Sequence, residues 1–111
     1  MYTPDLWVIV KIIREDGEEL YKVLGTWRGG YLGGDSWRMN SGIKKVTKKD
    51  DVYEFHGYSG SLYTCFENNK GMNMYTAGVA DNMIKRLKEE HDATMTILDP
   101  TELEEYLELR S

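Results

Sequence analysis

The chain has 111 residues, a formal net charge of −5 and 41% hydrophobic residues, which fits a single domain spanning 1–111 and excludes a disordered chain. It contains no run of roughly 20 apolar residues, and its start lacks a charged n-region and a cleavage site, so we expect neither membrane insertion nor secretion. Cys65 is the only cysteine, which excludes an internal disulfide and favours a cytoplasmic location.

The first predicted element is a β-hairpin. The runs 6–13 and 20–27 are apolar and rich in β-branched residues. Between them, Asp16 and Gly17 are typical of a tight turn, because glycine has no Cβ and aspartate tolerates positive φ. Both faces of these strands carry apolar residues, so we expect the hairpin to be covered on both sides.

The charges near the turn favour one register of this hairpin. A two-residue loop would place Lys11 opposite Lys22, a like-charge pair that costs stability. A three-residue loop, with the turn glycine as a bulge, places Lys11 opposite Tyr21 and Arg14 opposite Glu18. The bulged register is therefore the predicted one.

A second meander is predicted after the glycine-rich segment 28–42. Its strands are expected at 43–47, 52–56 and 62–66, separated by polar or glycine-containing turns. In the middle strand Tyr53 and Phe55 alternate with more polar residues. We expect these two aromatic side chains to lie in the core.

The last third of the chain changes to a helical period. A helix is predicted at about 78–90 with Thr76 as its candidate cap, followed by a strand at 93–98. Asp99 and Pro100 then form an N-cap and first helical position, so the final helix should begin at Pro100. Its expected inner stripe is Leu103, Tyr106 and Leu107.

Together these elements predict an α+β fold. The expected architecture is a mostly antiparallel sheet of about five strands, in two meanders, with two helices near the C-terminus. At least one helix should cover a face of the sheet, because an apolar helix stripe must be buried against another element.

The segment 28–42 is the main candidate for a functional surface. Loops of this length in a compact domain are usually functional or mobile. Tryptophan, tyrosine and arginine dominate binding hot spots. A second loop at 57–61 and the stretch 68–75 repeat the mixture of glycine, tyrosine and small polar residues, and the three loops would make one patch if they lay at one end of the sheet. The alternative interpretation is a structural loop held down by its own aromatic residues. The candidate contact residues are Trp27, Arg28, Tyr31, Asp35, Trp37, Arg38 and Tyr58.

The acidic end of the chain bears on its partners. Residues 89–111 hold eight acids and one arginine, a net charge of −7. This charge repels phosphate backbones, so we expect no direct contact with nucleic acid. The segment is interpreted as a solvated helix face, or as a surface that meets a basic groove on a protein partner.

Signals for catalysis and for metal or cofactor binding are weak. Cys65 and His56 would form a thiol and base pair only if they faced each other across adjacent strands, and no family signature surrounds them. His56 and His91 are too few for a zinc site. The glycines of 28–42 do not open a helix and lack the lysine of a phosphate loop. We therefore assign no catalytic residue, metal ligand or cofactor.

The stretches PDLWVIVKI, WRGGYLGGDSWRMNSGI, FHGYSGSLYTC and GMNMYTAGV together resemble small uncharacterised accessory proteins of tailed bacteriophages. The resemblance covers most of residues 4 to 80 and fades in the acidic end. It implies a class of role, the binding and inhibition of a host enzyme or of an anti-phage defence complex. It transfers no catalytic or binding residue.

Three functions follow as hypotheses. The favoured one is a small non-enzymatic binding protein that inhibits a host enzyme or a defence complex, including an anti-CRISPR-like role. The first alternative is a protein that sequesters a nucleotide-like ligand, with Trp37 stacking on a base and Arg38 meeting phosphate. The second is a small hydrolase that uses His56 and Cys65. The expected partner is a host protein or complex, or a small molecule, and homo-oligomerisation is left open.

Overall fold

The computed structural model of the protein describes residues 1–29 and 33–111. These residues form seven strands, a short 3-10 helix at Glu67–Asn69 and two α-helices. The elements are β1 (Leu6–Ile13), β2 (Glu19–Trp27), β3 (Ser36–Met39), β4 (Ile43–Lys49), β5 (Val52–Gly57), β6 (Leu62–Phe66), α1 (Met74–His91), β7 (Thr94–Ile97) and α2 (Pro100–Arg110). Neither described α-helix has the length and apolar composition needed to cross a membrane.

The first sheet has four antiparallel strands in the order β3-β2-β1-β7. Its central hairpin confirms the bulged register, because Lys11 lies opposite Tyr21 and the amide of Arg14 donates to the carbonyl of Glu18 at 2.9 Å. Gly17 has a φ of 87°, the left-handed conformation that the turn requires. A local charge pattern was thus enough to predict the pairing.

The second sheet has three antiparallel strands in the order β4-β5-β6. Residues before β1 join the two sheets, since the amide of Tyr2 donates to the carbonyl of Leu62 and the amide of Thr64 donates to the carbonyl of Tyr2, both at 2.8 Å. The chain therefore contacts β6 first and then crosses into the four-stranded sheet as β1.

One core lies between the two sheets. Trp7 and Ile9 of the four-stranded sheet face Tyr53 and Phe55, and the Trp7 indole is fully buried with its Nε1–H donating to the Phe66 carbonyl at 2.7 Å. The predicted core positions of β5 are confirmed. Helix α2 closes this core with the three side chains expected from its sequence, Leu103, Tyr106 and Leu107.

A separate core lies on the other face of the four-stranded sheet. There Val8, Val10 and Ile12 pack with Met95 and with Ala80 of α1. The molecule thus has three layers: α1, the four-stranded sheet, and the three-stranded sheet together with α2. The α+β class is confirmed, and β1 and β2 are covered on both faces as predicted.

Two helix starts were predicted, one correctly. Helix α2 begins at Pro100, and Asp99 forms a capping box with Glu102. Helix α1 begins at Met74, four residues before the prediction, and Thr76 is not its cap. The cap is Asn73, whose Oδ1 accepts the Thr76 amide at 3.0 Å, so Thr76 lies inside the first turn.

Candidate functional site

The carboxylate of Asp35 holds together the described ends of the glycine-rich segment. Its Oδ1 accepts the Gly29 amide at 2.9 Å, and its Oδ2 accepts the side-chain amide of Asn73 at 2.8 Å. A Cβ on Gly29 would lie 2.1 Å from the carbonyl oxygen of Gly33, so only glycine fits there. Asp35 therefore has a structural role that links the segment to the start of α1.

A hydrogen-bonded chain continues from Asn73 into the four-stranded sheet. The Asn73 Oδ1 accepts both the amide and the hydroxyl of Thr76, each at 3.0 Å. The Thr76 and Thr26 hydroxyl oxygens lie 2.5 Å apart, and both residues are fully buried. Because the Thr76 hydroxyl donates to Asn73, the Thr26 hydroxyl donates to Thr76. This series of hydrogen bonds, from Thr26 through Thr76 and Asn73 to Asp35, fixes α1 and the glycine-rich segment relative to β2.

The N-terminal end of the segment is also tied to the residues before β1. The amide of Arg28 donates to Oδ2 of Asp5 at 2.7 Å, and the Arg28 side chain is exposed. Tyr31 lies outside the described residues.

An aromatic cluster supports two of the predicted contact residues. The Tyr2 ring lies 6.3 Å from the Trp27 ring and 5.1 Å from the Tyr63 ring, and the Arg38 guanidinium lies over the Tyr2 ring at 4.5 Å from its centroid. Trp27 is half-buried against the core. Burial raises the pKa of Tyr63 to about 12, against the opposing effect of the Arg38 charge. Trp27 is thus largely structural, whereas Arg38 is held at the surface.

Trp37 is presented to solvent on β3, the outer strand of its sheet. Its side chain is 40% exposed, and its strand partner is Thr26. Thr26 contacts Thr76, so Trp37 lies beside the first turn of α1, where Met74 is 93% exposed and Tyr75 41% exposed. We call these three residues, Trp37, Met74 and Tyr75, the Trp37 patch.

Sequence reasoning included Met74 and Tyr75 in the recognition-loop stretch 68–75 but did not name them among the candidate contact residues. It placed them in a loop, because it began the helix too late. The signal was present: Asn73 three residues before Thr76 is a good N-cap, and that cap makes Met74 and Tyr75 the first two helical residues, where side chains are often exposed.

Tyr58 lies in a different part of the surface. It is 64% exposed in the turn after β5, and that turn is joined to the corner before β4 by the bond from the Ser59 amide to the Ser41 hydroxyl, at 3.0 Å. A Cβ on Gly42 would lie 3.0 Å from the Tyr58 ring. The described hydrogen bonds thus join Asp35 to Asn73 but attach the Tyr58 turn to another corner.

The proposed thiol and base pair does not form. Cys65 lies opposite Tyr53 and faces the core, whereas His56 is three residues further along β5 and faces the other side of the sheet. Burial raises the pKa of the Cys65 thiol, which opposes formation of a thiolate. Among residues 1–29 and 33–111, no three His, Cys, Asp or Glu side chains are grouped closely enough to bind a metal ion.

Comparison of the chain with protein-family models, with curated proteins and with solved structures gives no match. The geometry of the site is therefore the basis for a functional assignment.

Proposed function

We propose that the protein is a non-enzymatic protein-binding module whose main contact surface is the Trp37 patch. The observation that carries the proposal is the exposure of three large apolar side chains around a hydrogen-bonded support. Clustered exposed apolar residues mark interaction sites, and tryptophan, tyrosine and arginine contribute most to binding hot spots.

The support beneath the patch favours binding for a second reason. Asp35 and Asn73 fix the strand that carries Trp37 against the helix that carries Met74 and Tyr75. A partner then pays less conformational entropy when it binds, because the contact residues are already ordered. Arg28 adds an exposed positive charge at the end of β2, which favours a partner with an acidic or aromatic rim. Arg38 projects from the other face of β3, over the Tyr2 ring, and is not part of this surface.

The role that we propose for this binding is inhibition of a host enzyme or of an anti-phage defence complex, in line with the resemblance to phage accessory proteins. The test is affinity capture from a bacterial lysate with the tagged protein. We expect one host protein or complex to be recovered in stoichiometric amount, and its activity to fall as the protein is added. Recovery of no stoichiometric partner would contradict the proposal.

A substitution tests whether the Trp37 patch makes the contact. Trp37→Ala should weaken partner binding by about tenfold or more, the loss typical of a hot-spot residue. Phe66→Ala is the matched control, because Phe66 is an aromatic residue with 41% exposure on β6, outside the patch. Calorimetric titration of the recovered partner measures both. If Trp37→Ala and Phe66→Ala bind the partner equally well, the Trp37 patch is excluded as the contact surface. Tyr75→Ala tests the part of the patch that lies on α1.

A further inference from the structure

A groove of about 710 Å³ lies at the end of β2 opposite the Trp37 patch, between the first hairpin and the C-terminal end of α1. Its volume is within the range of roughly 300 to 1,000 Å³ that is usual for small-molecule sites. Its apolar lining comes from three elements and the loop after α1. These side chains are Ile12, Leu20, Leu87 and Ala93.

Lys22 is the polar residue that distinguishes this groove. It lies on the sheet face turned towards α1, with Leu20 and Leu24 on either side along β2. No ion pair or side-chain hydrogen bond involves its ammonium group within the described part of the chain. Burial lowers the pKa of Lys22, because the charged form loses hydration without gaining a counter-ion.

Four other charged or titratable side chains line the groove. Arg14 is 3.8 Å from Glu18, and Asp16 accepts the Glu18 amide at 2.9 Å, so both are engaged within the turn. Glu15 lies in the same turn, and His91 is the last residue of α1. Lys22 is therefore the lining lysine that has no ion-pair partner among the described residues, and the two acids that also line the groove belong to the hairpin turn.

We propose that the groove binds a small amphipathic monocarboxylate, whose hydrocarbon chain covers the apolar lining and whose carboxylate pairs with the Lys22 ammonium. The apolar lining alone would accept any hydrocarbon chain. The unpaired half-buried ammonium selects a negative head group, because a carboxylate replaces the lost hydration and a cation is repelled. This site is separate from the proposed contact surface: Lys22 and Thr26, the strand partner of Trp37, are four residues apart on β2, a distance of about 13 Å.

The test compares three probes that share one hydrocarbon chain: octanoate, octan-1-ol and octylammonium. We expect octanoate to raise the Tm and to shift the amide resonances of Leu20, Lys22, Leu87 and Ala93, octan-1-ol to bind more weakly, and octylammonium not to bind. Equal binding of octanoate and octan-1-ol would overturn the proposal, and so would the absence of any octanoate effect. This series uses the unmodified protein, so it does not depend on the folding of a variant.

A substitution then locates the head group. Lys22→Met keeps the apolar stem and removes the charge, so octanoate affinity should fall by about tenfold or more, the size expected for a lost charge-assisted hydrogen bond. Lys85→Met is the control, because Lys85 is exposed on α1 and does not line the groove. Unchanged octanoate affinity in Lys22→Met, or an equal loss in Lys85→Met, would contradict the assignment. Partner capture through the Trp37 patch should be unaffected by Lys22→Met.

Discussion

At the scale of single residues, two threonine hydroxyls connect helix α1 to the four-stranded sheet. Thr26 of β2 and Thr76 of α1 are both fully buried, and their hydroxyl oxygens lie 2.5 Å apart. The Thr76 hydroxyl donates its hydrogen bond to Asn73, so the two threonine hydroxyls are not equivalent. Thr26 depends on Thr76 as its acceptor, whereas Thr76 keeps a bond to Asn73 when Thr26 is removed.

This asymmetry gives a prediction. Thr76→Val leaves the buried Thr26 donor without its acceptor and should lower the free energy of unfolding by about 2 kcal/mol, whereas Thr26→Val should cost about 1 kcal/mol. The double variant should be no less stable than Thr76→Val alone, since it removes the unpaired group. Urea denaturation of the three variants measures this. A larger cost for Thr26→Val would mean that the donor direction is reversed.

The same scale shows which of the candidate contact residues are exposed and which have structural contacts. Composition alone indicated that Trp37 and Arg38 belong to a surface, because these residue types favour contacts, and both are exposed. It did not separate them from Trp27 and Asp35, which have the same local context. Trp27 packs on Tyr2 and Asp35 bonds to Asn73, and such long-range contacts are not encoded in the neighbouring residues.

At the scale of elements, glycines at turns and corners differ in what surrounds them. Gly42 has a φ of 136°, and a Cβ there would lie 2.8 Å from Leu20 Cδ1 and 3.0 Å from Tyr58 Cδ2. Gly60 has a φ of 91° with nothing within 4 Å of the same position. The positive φ disfavours a side chain at both positions. At Gly42 the close contacts with Leu20 and Tyr58 disfavour it as well.

Alanine substitution at these two glycines separates the two effects. Gly60→Ala should lower the free energy of unfolding by about 1 kcal/mol through backbone strain alone. Gly42→Ala should cost about 2 to 4 kcal/mol, because Leu20 and Tyr58 must also move. Thermal and urea unfolding measure the difference. Equal costs would show that the corner before β4 accepts the extra carbon without strain.

Elements with strong local signals were predictable. The hairpin followed from Asp16-Gly17 between two β-branched runs, and the start of α2 followed from Asp99, Pro100 and Glu102. Strand β3 was not predicted, since its four residues are exposed or half-buried and follow a run of glycines. The start of helix α1 was predicted too late, because Thr76 was taken as the cap in place of Asn73, whose side chain accepts the Thr76 amide.

At the scale of the whole molecule, the core between the two sheets contains several tyrosines whose pKa is raised. Burial raises the pKa of Tyr63 and of Tyr106 to about 12, and it raises the pKa of Tyr53 as well. An unfolded tyrosine ionises near pH 10, approximately. Between these values the folded state holds more protons than the unfolded state, so stability falls as the pH rises.

The expected result is alkaline destabilisation that depends on these hydroxyl groups. From about pH 10 to about pH 12 the free energy of unfolding should decrease, and the decrease should be smaller in the double variant Tyr63→Phe, Tyr106→Phe, which keeps both rings. Urea unfolding at a series of pH values measures both slopes. Identical slopes would mean that other groups, such as Tyr53 or the lysines, control the alkaline response.

Cys65 can report on the opening of the core between the two sheets. It is the only thiol in the chain, and it is fully buried between the two sheets beside Tyr53. A thiol reagent can reach it only when the sheets separate or the protein unfolds, so the labelling rate at increasing reagent concentration counts those openings. The interval between successive separations of the sheets can therefore be timed in the unmodified protein, without an introduced label.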